Sequence, residues 1–397
     1  MNITKLIYQT GQMERDEMKI VISPQAFKGS ITAMNAAKAI ESGVKSVMPD
    51  CETVLIPIAD GGDGTLETLI DVMGGDIITE KVTGPLGSKV KANWGALSDQ
   101  KTAIVEMAST SGLTLIKPKD LDPYKSTTYG LGEIISKALD KGYREFIVGI
   151  GGSATNDAGA GLAQALGIKL LNSSGKEIEL GGFNLKHLDT IDMSGLDPRI
   201  LESKFNVACD VDNPMCGPEG ASAVYGPQKG ASQEMITVLD SALQHFSHVV
   251  HRDLNKEIKH MPGAGAAGGL GGGMVAFLNA SLKKGIDIVL ETLEFDEKIE
   301  GADLLITGEG QMDFQTVYSK APIGAAKVGK SKNIPVVSLS GSLGAEYELV
   351  HDHGIDAAFS ILPRPMTLEE ASENAHELIS KTTEEIIRTI IVGTRIQ

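Results

Sequence analysis

The chain has 397 residues, with 36 Lys and Arg against 52 Asp and Glu, a formal charge of -16, and three cysteines. That length predicts two domains with large cores, and the acidic balance without basic clusters argues against a nucleic-acid surface. Cys51, Cys209 and Cys216 suit neither a disulfide framework nor a four-ligand zinc site, no segment approaches about 18 apolar residues, and no apolar run follows a basic start, so a cytoplasmic protein with no membrane partner is expected.

Residues 1–17 are polar and weakly patterned, so they read as an N-terminal extension, and Met18 opens the first structured segment. From there short apolar runs alternate with helical stretches. The predicted strands in chain order are Ile20–Ile22, Thr53–Ile56, Ala103–Val105, Phe146–Ile150, Phe205–Cys209, Asp303–Thr307, Val336–Ser340 and Ala357–Ile361. The helical stretches are Ala33–Met48, Gly130–Lys141, Gly159–Leu166, Glu234–Leu254 and Ala321–Lys330, and a final helix runs from the capping pair Thr367 and Glu370 to about Ile391. This alternation predicts an α/β protein with mostly parallel sheets.

Several strands run straight into clusters of glycine and carboxylate. Asp60-Gly61-Gly62-Asp63-Gly64, Gly151-Gly152-Ser153-Ala154-Thr155-Asn156-Asp157, Asp210-Val211-Asp212 and Gly308-Glu309-Gly310-Gln311-Met312-Asp313 all lie at carboxyl ends of predicted strands, where open parallel sheets bind their ligands. Glycine lets a backbone approach a ligand and present bare N–H groups to phosphate, and neighbouring carboxylates can hold a hard cation beside it. The combination points to phosphoryl transfer.

Taken singly, each cluster has two readings. Gly151 to Asp157 is an anion nest or a tight turn with an N-cap; it is neither a P-loop nor a dinucleotide fingerprint. Asp60 and Asp63 face one cation or polyol hydroxyl, or simply make a turn. Asp210 and Asp212 share one side of an extended segment, where either is a candidate base for a hydroxyl proton, or they act as caps. Glu309 and Asp313 complete a metal or substrate site, or sit in a solvated loop. Lys28 and Lys320 are candidate cations for carboxylate or phosphate, or surface lysines. Gly263 to Gly273 is too rich in glycine for a stable helix interior and reads as a ligand-approach loop.

Read together and in order, these motifs resemble the type I glycerate kinase family. They are Ser23-Pro24 with Phe27-Lys28-Gly29-Ser30, the Asp60 to Thr65 turn, Gly149 to Asp157, Ala208 to Pro214, Gly263 to Gly269, and Thr307-Gly308-Glu309-Gly310 followed by Asp313, Gln315 and Thr316. The resemblance spans nearly the whole chain from Met18. It implies ATP- and Mg²⁺-dependent phosphorylation of D-glycerate to 2-phosphoglycerate in organic-acid catabolism. It also implies a Rossmann-like domain from both chain ends, about 18–85 and 275–397, an inserted α/β domain over about 86–274, and an active site in the cleft.

On that resemblance the roles fall as follows. Asp210, Asp212 and Lys28 are catalytic; Ser23, Lys28, Asp60, Asp63 and Gln315 bind substrate; Gly151, Gly152, Ser153, Thr155 and Asn156 cradle ATP; Glu309, Asp313 and Asp63 hold Mg²⁺. A homodimer stays open. The family often carries Asp at the place of Gln25, Arg at that of Gln311 and Gly at that of Ser319. The alternatives are a kinase of another small hydroxy acid, a 3-phosphoglycerate-forming kinase, and a non-catalytic ligand-binding regulator.

Overall fold

The structure, a computed structural model, describes residues 18–62, 64–318, 320–393 and 395. The expectations for residues 1–17, Asp63 and Ser319 therefore lie outside the described residues. The strands are β1 (Lys19–Pro24), β2 (Glu52–Leu55), β3 (Gly75–Thr83), β4 (Lys89–Leu97), β5 (Thr102–Glu106), β6 (Glu145–Gly149), β7 (Lys169–Leu171), β8 (Thr190–Asp192), β9 (Lys204–Ala208), β10 (Ser281–Lys283), β11 (Leu304–Met312), β12 (Val336–Leu343) and β13 (Ala357–Ser360). The α/β class read from the alternating pattern is what the chain folds into. Two compact units result: one takes the chain up to Asp60 and again from Val289, the other is Gly61–Ile288. The divisions expected near residues 85 and 274 fall inside the second unit.

The first unit is an all-parallel sheet in the order β13-β12-β11-β1-β2. Numbered by the unit's own strands this is 2-1-3-4-5, a doubly wound order whose direction reverses between β1 and β11, and that reversal is where such sheets open a ligand crevice. One face carries Ile20, Ile22, Leu304, Ile306, Val337 and Leu339, which form a core with Ile40 and Val44 of helix Ala33–Val47 and Ile379 and Ile386 of helix Ala375–Gly393. The other face is covered by helix Ala321–Ser331, whose Gly329 approaches Leu305 and Val336.

Helices Ala33–Val47 and Ala375–Gly393 meet at Gly43. A Cβ there would lie 2.4 Å from the carbonyl oxygen of Ser380 and 2.6 Å from Thr383 Cβ, so the backbones touch and nothing larger fits. In an isolated helix, replacing Gly by Ala gains up to about 1 kcal/mol; here the forced separation of two packed helices outweighs it. Gly43→Val is expected to destabilise the protein by about 3 kcal/mol, read as a lower urea midpoint at unchanged slope.

The second unit holds a six-stranded sheet in the order β10-β9-β6-β5-β4-β3 and a small β7-β8 pair. Strands β10, β9, β6 and β5 run parallel, and β4 and β3 continue the sheet antiparallel. The β3–β4 hairpin was not among the predicted strands: β3 is mostly exposed, so it lacks the apolar run by which the buried strands are read. Its core includes Trp94, Phe146, Phe205 and Phe246, with Phe146 stacked on Phe205 at 4.7 Å.

Two expectations about elements are corrected. The glycine-rich segment is a loop only to Gly269; Ala267, Gly268 and Gly269 are left-handed, and the chain then turns as helix to Leu278. Packing supplies what propensity lacks, since a Cβ on Gly273 would sit 1.9 Å from the Ala158 carbonyl oxygen and one on Gly272 2.5 Å from Met215 Cε. The final helix is two helices, Leu368–Glu373 and Ala375–Gly393, divided at Asn374. Thr367 caps the first as its sequence predicts, its Oγ1 accepting from Glu370 N at 3.1 Å, while the Glu370 carboxylate turns to Arg364 instead of closing the capping box.

Candidate active site

In the first unit the predicted residues gather at the carboxyl edge of β1 and β11. Parallel register sets Ser23 beside Thr307 and Thr307 beside Ser338, and one step on sets Glu309 beside Ser340. Residues two apart on a strand share a face, so Ser23, Thr307, Ser338, Glu309 and Ser340 form one polar strip opposite the apolar core face. All five are buried. Thr307 Oγ1 donates to the Ser23 carbonyl at 2.8 Å, whereas the hydroxyls of Ser23, Ser338 and Ser340 have no hydrogen-bond partner among the described residues. Buried polar atoms without partners are uncommon in proteins, and such a row fits a site built for a polar ligand.

Glu309 is the charged member of this strip and is 5% exposed. Burial pushes its carboxyl up to about 7; a hydrogen bond from Thr316 Oγ1 at 2.7 Å and the Lys320 ammonium 3.7 Å away pull it down, while Asp313 and Asp60 raise it. Thr316 Oγ1 also accepts from Asp313 N at 3.1 Å. The loop after β11 is thus folded around the carboxylate. Lys320, the N-cap of a helix begun by Ala321 and Pro322, is the cation that faces it.

The other first-unit residues lie nearby with different partners. Asp60 accepts from Gln25 Nε2 at 2.9 Å; a neutral amide can donate here, where a second carboxylate would repel. Asp313 accepts from Gln315 N at 2.8 Å and Gln311 Nε2 at 3.1 Å, an Asx-type turn. Gln315 is exposed. Exposed Lys28 edges a cavity of about 450 Å³ walled by Phe27, Gly310, Gln311, Ile361 and Leu362. Among the described residues no three His, Cys, Asp or Glu side chains converge as a ready-made metal cage. Mg²⁺ rarely requires one, since it is commonly held by one or two carboxylates together with substrate phosphates and water.

In the second unit, Gly151 and Gly152 follow β6 and are exposed, while Ser153, Thr155, Asn156 and Asp157 turn inward and are buried. Asp157 accepts from Thr128 N and Oγ1 at 2.8 and 2.9 Å and from Gly159 N and Gly161 N at 3.2 and 3.3 Å, and burial raises its pKa. Asn156 Nδ2 donates to Ser222 Oγ at 3.0 Å. These hydrogen bonds tie the inner side of the loop to its surroundings beneath the glycine crest. Asp210 and Asp212 lie just past β9 and are exposed; Gly285 N donates to Asp210 Oδ1 at 3.0 Å, which fixes that carboxylate to the backbone.

Lys229, Ser338, Ser340 and Thr316 were not singled out from the sequence as site residues. The alternation Ser338-Leu339-Ser340 within a buried strand was the available signal for the two serines. For Lys229, in Gly226-Pro227-Gln228-Lys229-Gly230, the sequence holds no signal beyond a turn.

The sequence profile of the glycerate kinase family matches residues 20–391. The chain is 50% identical over 367 residues to a glycerate kinase of Halalkalibacterium halodurans, covering 92% of this chain and 97% of that protein. It is 48% identical over 378 residues to the glycerate 2-kinase of Escherichia coli, covering 95% and 99%. The solved structure of a protein described as a putative glycerate kinase 2 from Salmonella typhimurium superposes with a TM-score of 0.89 at 45% identity, covering 96% of this chain and 100% of that one.

Proposed function

The chain belongs to the glycerate kinase family, and from that premise we propose that it transfers the terminal phosphoryl group of ATP to the 2-hydroxyl of D-glycerate, giving 2-phosphoglycerate and ADP, with Mg²⁺ assisting. The observation that carries this reading is Glu309: a buried carboxyl held near neutrality and faced by Lys320, at the switch point of a doubly wound sheet and among hydroxyls that have no partner among the described residues. Carboxyls perturbed by burial and a specific charge partner cluster at functional sites.

The roles follow from charge and reach. In this reading Lys28 and Ser23 bind the glycerate carboxylate, and Asp60, Asp63 and Gln315 its hydroxyls. Asp210 or Asp212 accepts the proton as the 2-oxygen bonds to the γ-phosphorus and the bond from that phosphorus to the β–γ bridging oxygen breaks. The backbone of Gly151 and Gly152, supported by Ser153, Thr155 and Asn156, takes the phosphates. Glu309 and Asp313, with Asp63, are oxygen donors of the kind Mg²⁺ takes, and the ion would neutralise charge on the transferring group. A cytoplasmic setting, where ATP is available, accords with this reading.

The test is incubation of the purified protein with D-glycerate, ATP and Mg²⁺, followed by phosphorus NMR. A 2-phosphoglycerate resonance that disappears with EDTA is expected. A 3-phosphoglycerate resonance overturns the assigned hydroxyl and keeps the reaction class. No phosphorylated glycerate overturns the reading and leaves another hydroxy acid or a ligand-binding regulator.

A further inference from the structure

Lys229 is the largest charged side chain wholly inside the second unit, and no step above uses it. It closes the short turn Pro227–Lys229 and is 1% exposed. Its Nζ donates to Ser153 Oγ at 2.8 Å and to the Thr155 carbonyl at 2.6 Å. Both acceptors belong to the loop whose crest is Gly151 and Gly152. An ammonium has three N–H donors and a neutral amine two, so the loop's two acceptors match the neutral form. Burial drives the same way, lowering the group to about 7, and the charged group facing it, Asp157, raises it. Within the same loop Thr155 Oγ1 and Asn156 Oδ1 are buried without hydrogen-bond partners among the described residues, so the interior of the loop is polar and incompletely satisfied.

A charge in so dry a place acts over several ångströms, because little water screens it. An anion at the glycine crest lowers the free energy of the ammonium relative to the amine. We propose that Lys229 is a positioning residue of the nucleotide loop: it holds Ser153 and Thr155 in place and takes up one proton from solvent when phosphate binds at Gly151 and Gly152. The inference rests on the assignment of ATP phosphates to this loop. It makes nucleotide affinity fall as pH rises from neutrality, since above that range the proton must be gained on binding.

Glutamine separates this role from a purely structural one. Lys229→Gln retains two N–H donors for the same two acceptors and cannot take a proton. The experiment is calorimetric titration of the protein with Mg²⁺-ADP at pH 8 in two buffers of different ionisation enthalpy, then repeated from pH 6.5 to 9. Wild type is expected to take up a proton on binding and to lose about tenfold in ADP affinity across the range, the equivalent of one pKa unit of linkage. Lys229→Gln is expected to bind ADP with no proton uptake and little pH dependence. Equal proton uptake in variant and wild type overturns the proposal. If the variant does not fold, wild type alone decides, and binding heats that do not depend on buffer overturn it. ADP binding without proton uptake removes the role of Lys229 and keeps the nucleotide loop; failure of wild type to bind ADP overturns both.

Discussion

Glu309→Gln is expected to lower kcat with D-glycerate by about 10²- to 10³-fold, the size of effect seen when one preorganised group that stabilises developing charge is removed, and at the same time to make the protein more stable at alkaline pH. Both effects come from burial. The folded protein holds the Glu309 carboxyl up at about 7 against an ordinary 4.5, so between those values the native state keeps a proton that the unfolded chain has released. The stability contributed by this group is complete below pH 4.5 and is lost as pH rises through 7. Gln keeps the volume and an oxygen acceptor for Thr316 Oγ1, and it removes the buried charge. At about 1.4 kcal/mol per pH unit over the interval from 4.5 to about 7, wild type should therefore lose on the order of 3 kcal/mol relative to the variant between pH 4.5 and 8, read as diverging melting temperatures. A variant that turns over like wild type and is no more stable at pH 8 would mean that Glu309 is a structural carboxylate offset by Lys320. Higher stability with lower activity is the signature of a group kept for function.

Asp210→Asn is expected to lower kcat by about 10²- to 10⁴-fold, the range for a group that takes a proton in the transition state, with ADP affinity nearly unchanged. The Asn side chain still offers an oxygen to Gly285 N, which now holds Asp210 Oδ1 at 3.0 Å, so position is preserved and basicity is lost. Steady-state kinetics with both substrates, and ADP titration of the variant, check the two halves separately. Turnover near wild type would remove Asp210 from the mechanism and direct the same test to Asp212, which lies two residues on and is also exposed. Raised KM for ATP at unchanged kcat would instead mark Asp210 as a binding group.

The variants also bear on how site residues divide between local and distant causes. Asp60, Asp210 and Glu309 were legible because each ends or follows an apolar run, Asp60 and Glu309 among glycines and Asp210 beside a second carboxylate, and in a parallel sheet that position is where ligands bind. Their environments were not legible. Glu309 and Asp313 look alike in the sequence, yet Glu309 points into the buried strip with Ser340 beside it, whereas Asp313 closes a half-exposed turn on Gln315 N. Ser153, Thr155 and Asn156 read as loop side chains for a ligand; the fold turns them inward beneath the exposed Gly151 and Gly152.

The sequence by itself determined the α/β class, the order along the chain of strands β1, β2, β5, β6, β9, β11, β12 and β13, and the strand ends that carry carboxylate and glycine, because these depend on patterns within a few neighbouring residues. Tertiary structure alone decided the 2-1-3-4-5 order of the first sheet, which joins β1 to β11 across more than half the chain. It also decided which ionisable groups are dry: the carboxyl of Glu309 and the amine of Lys229 are each brought near neutrality by burial. Desolvation is summed over all the atoms packed around a group, and most of those atoms come from residues far away in the sequence.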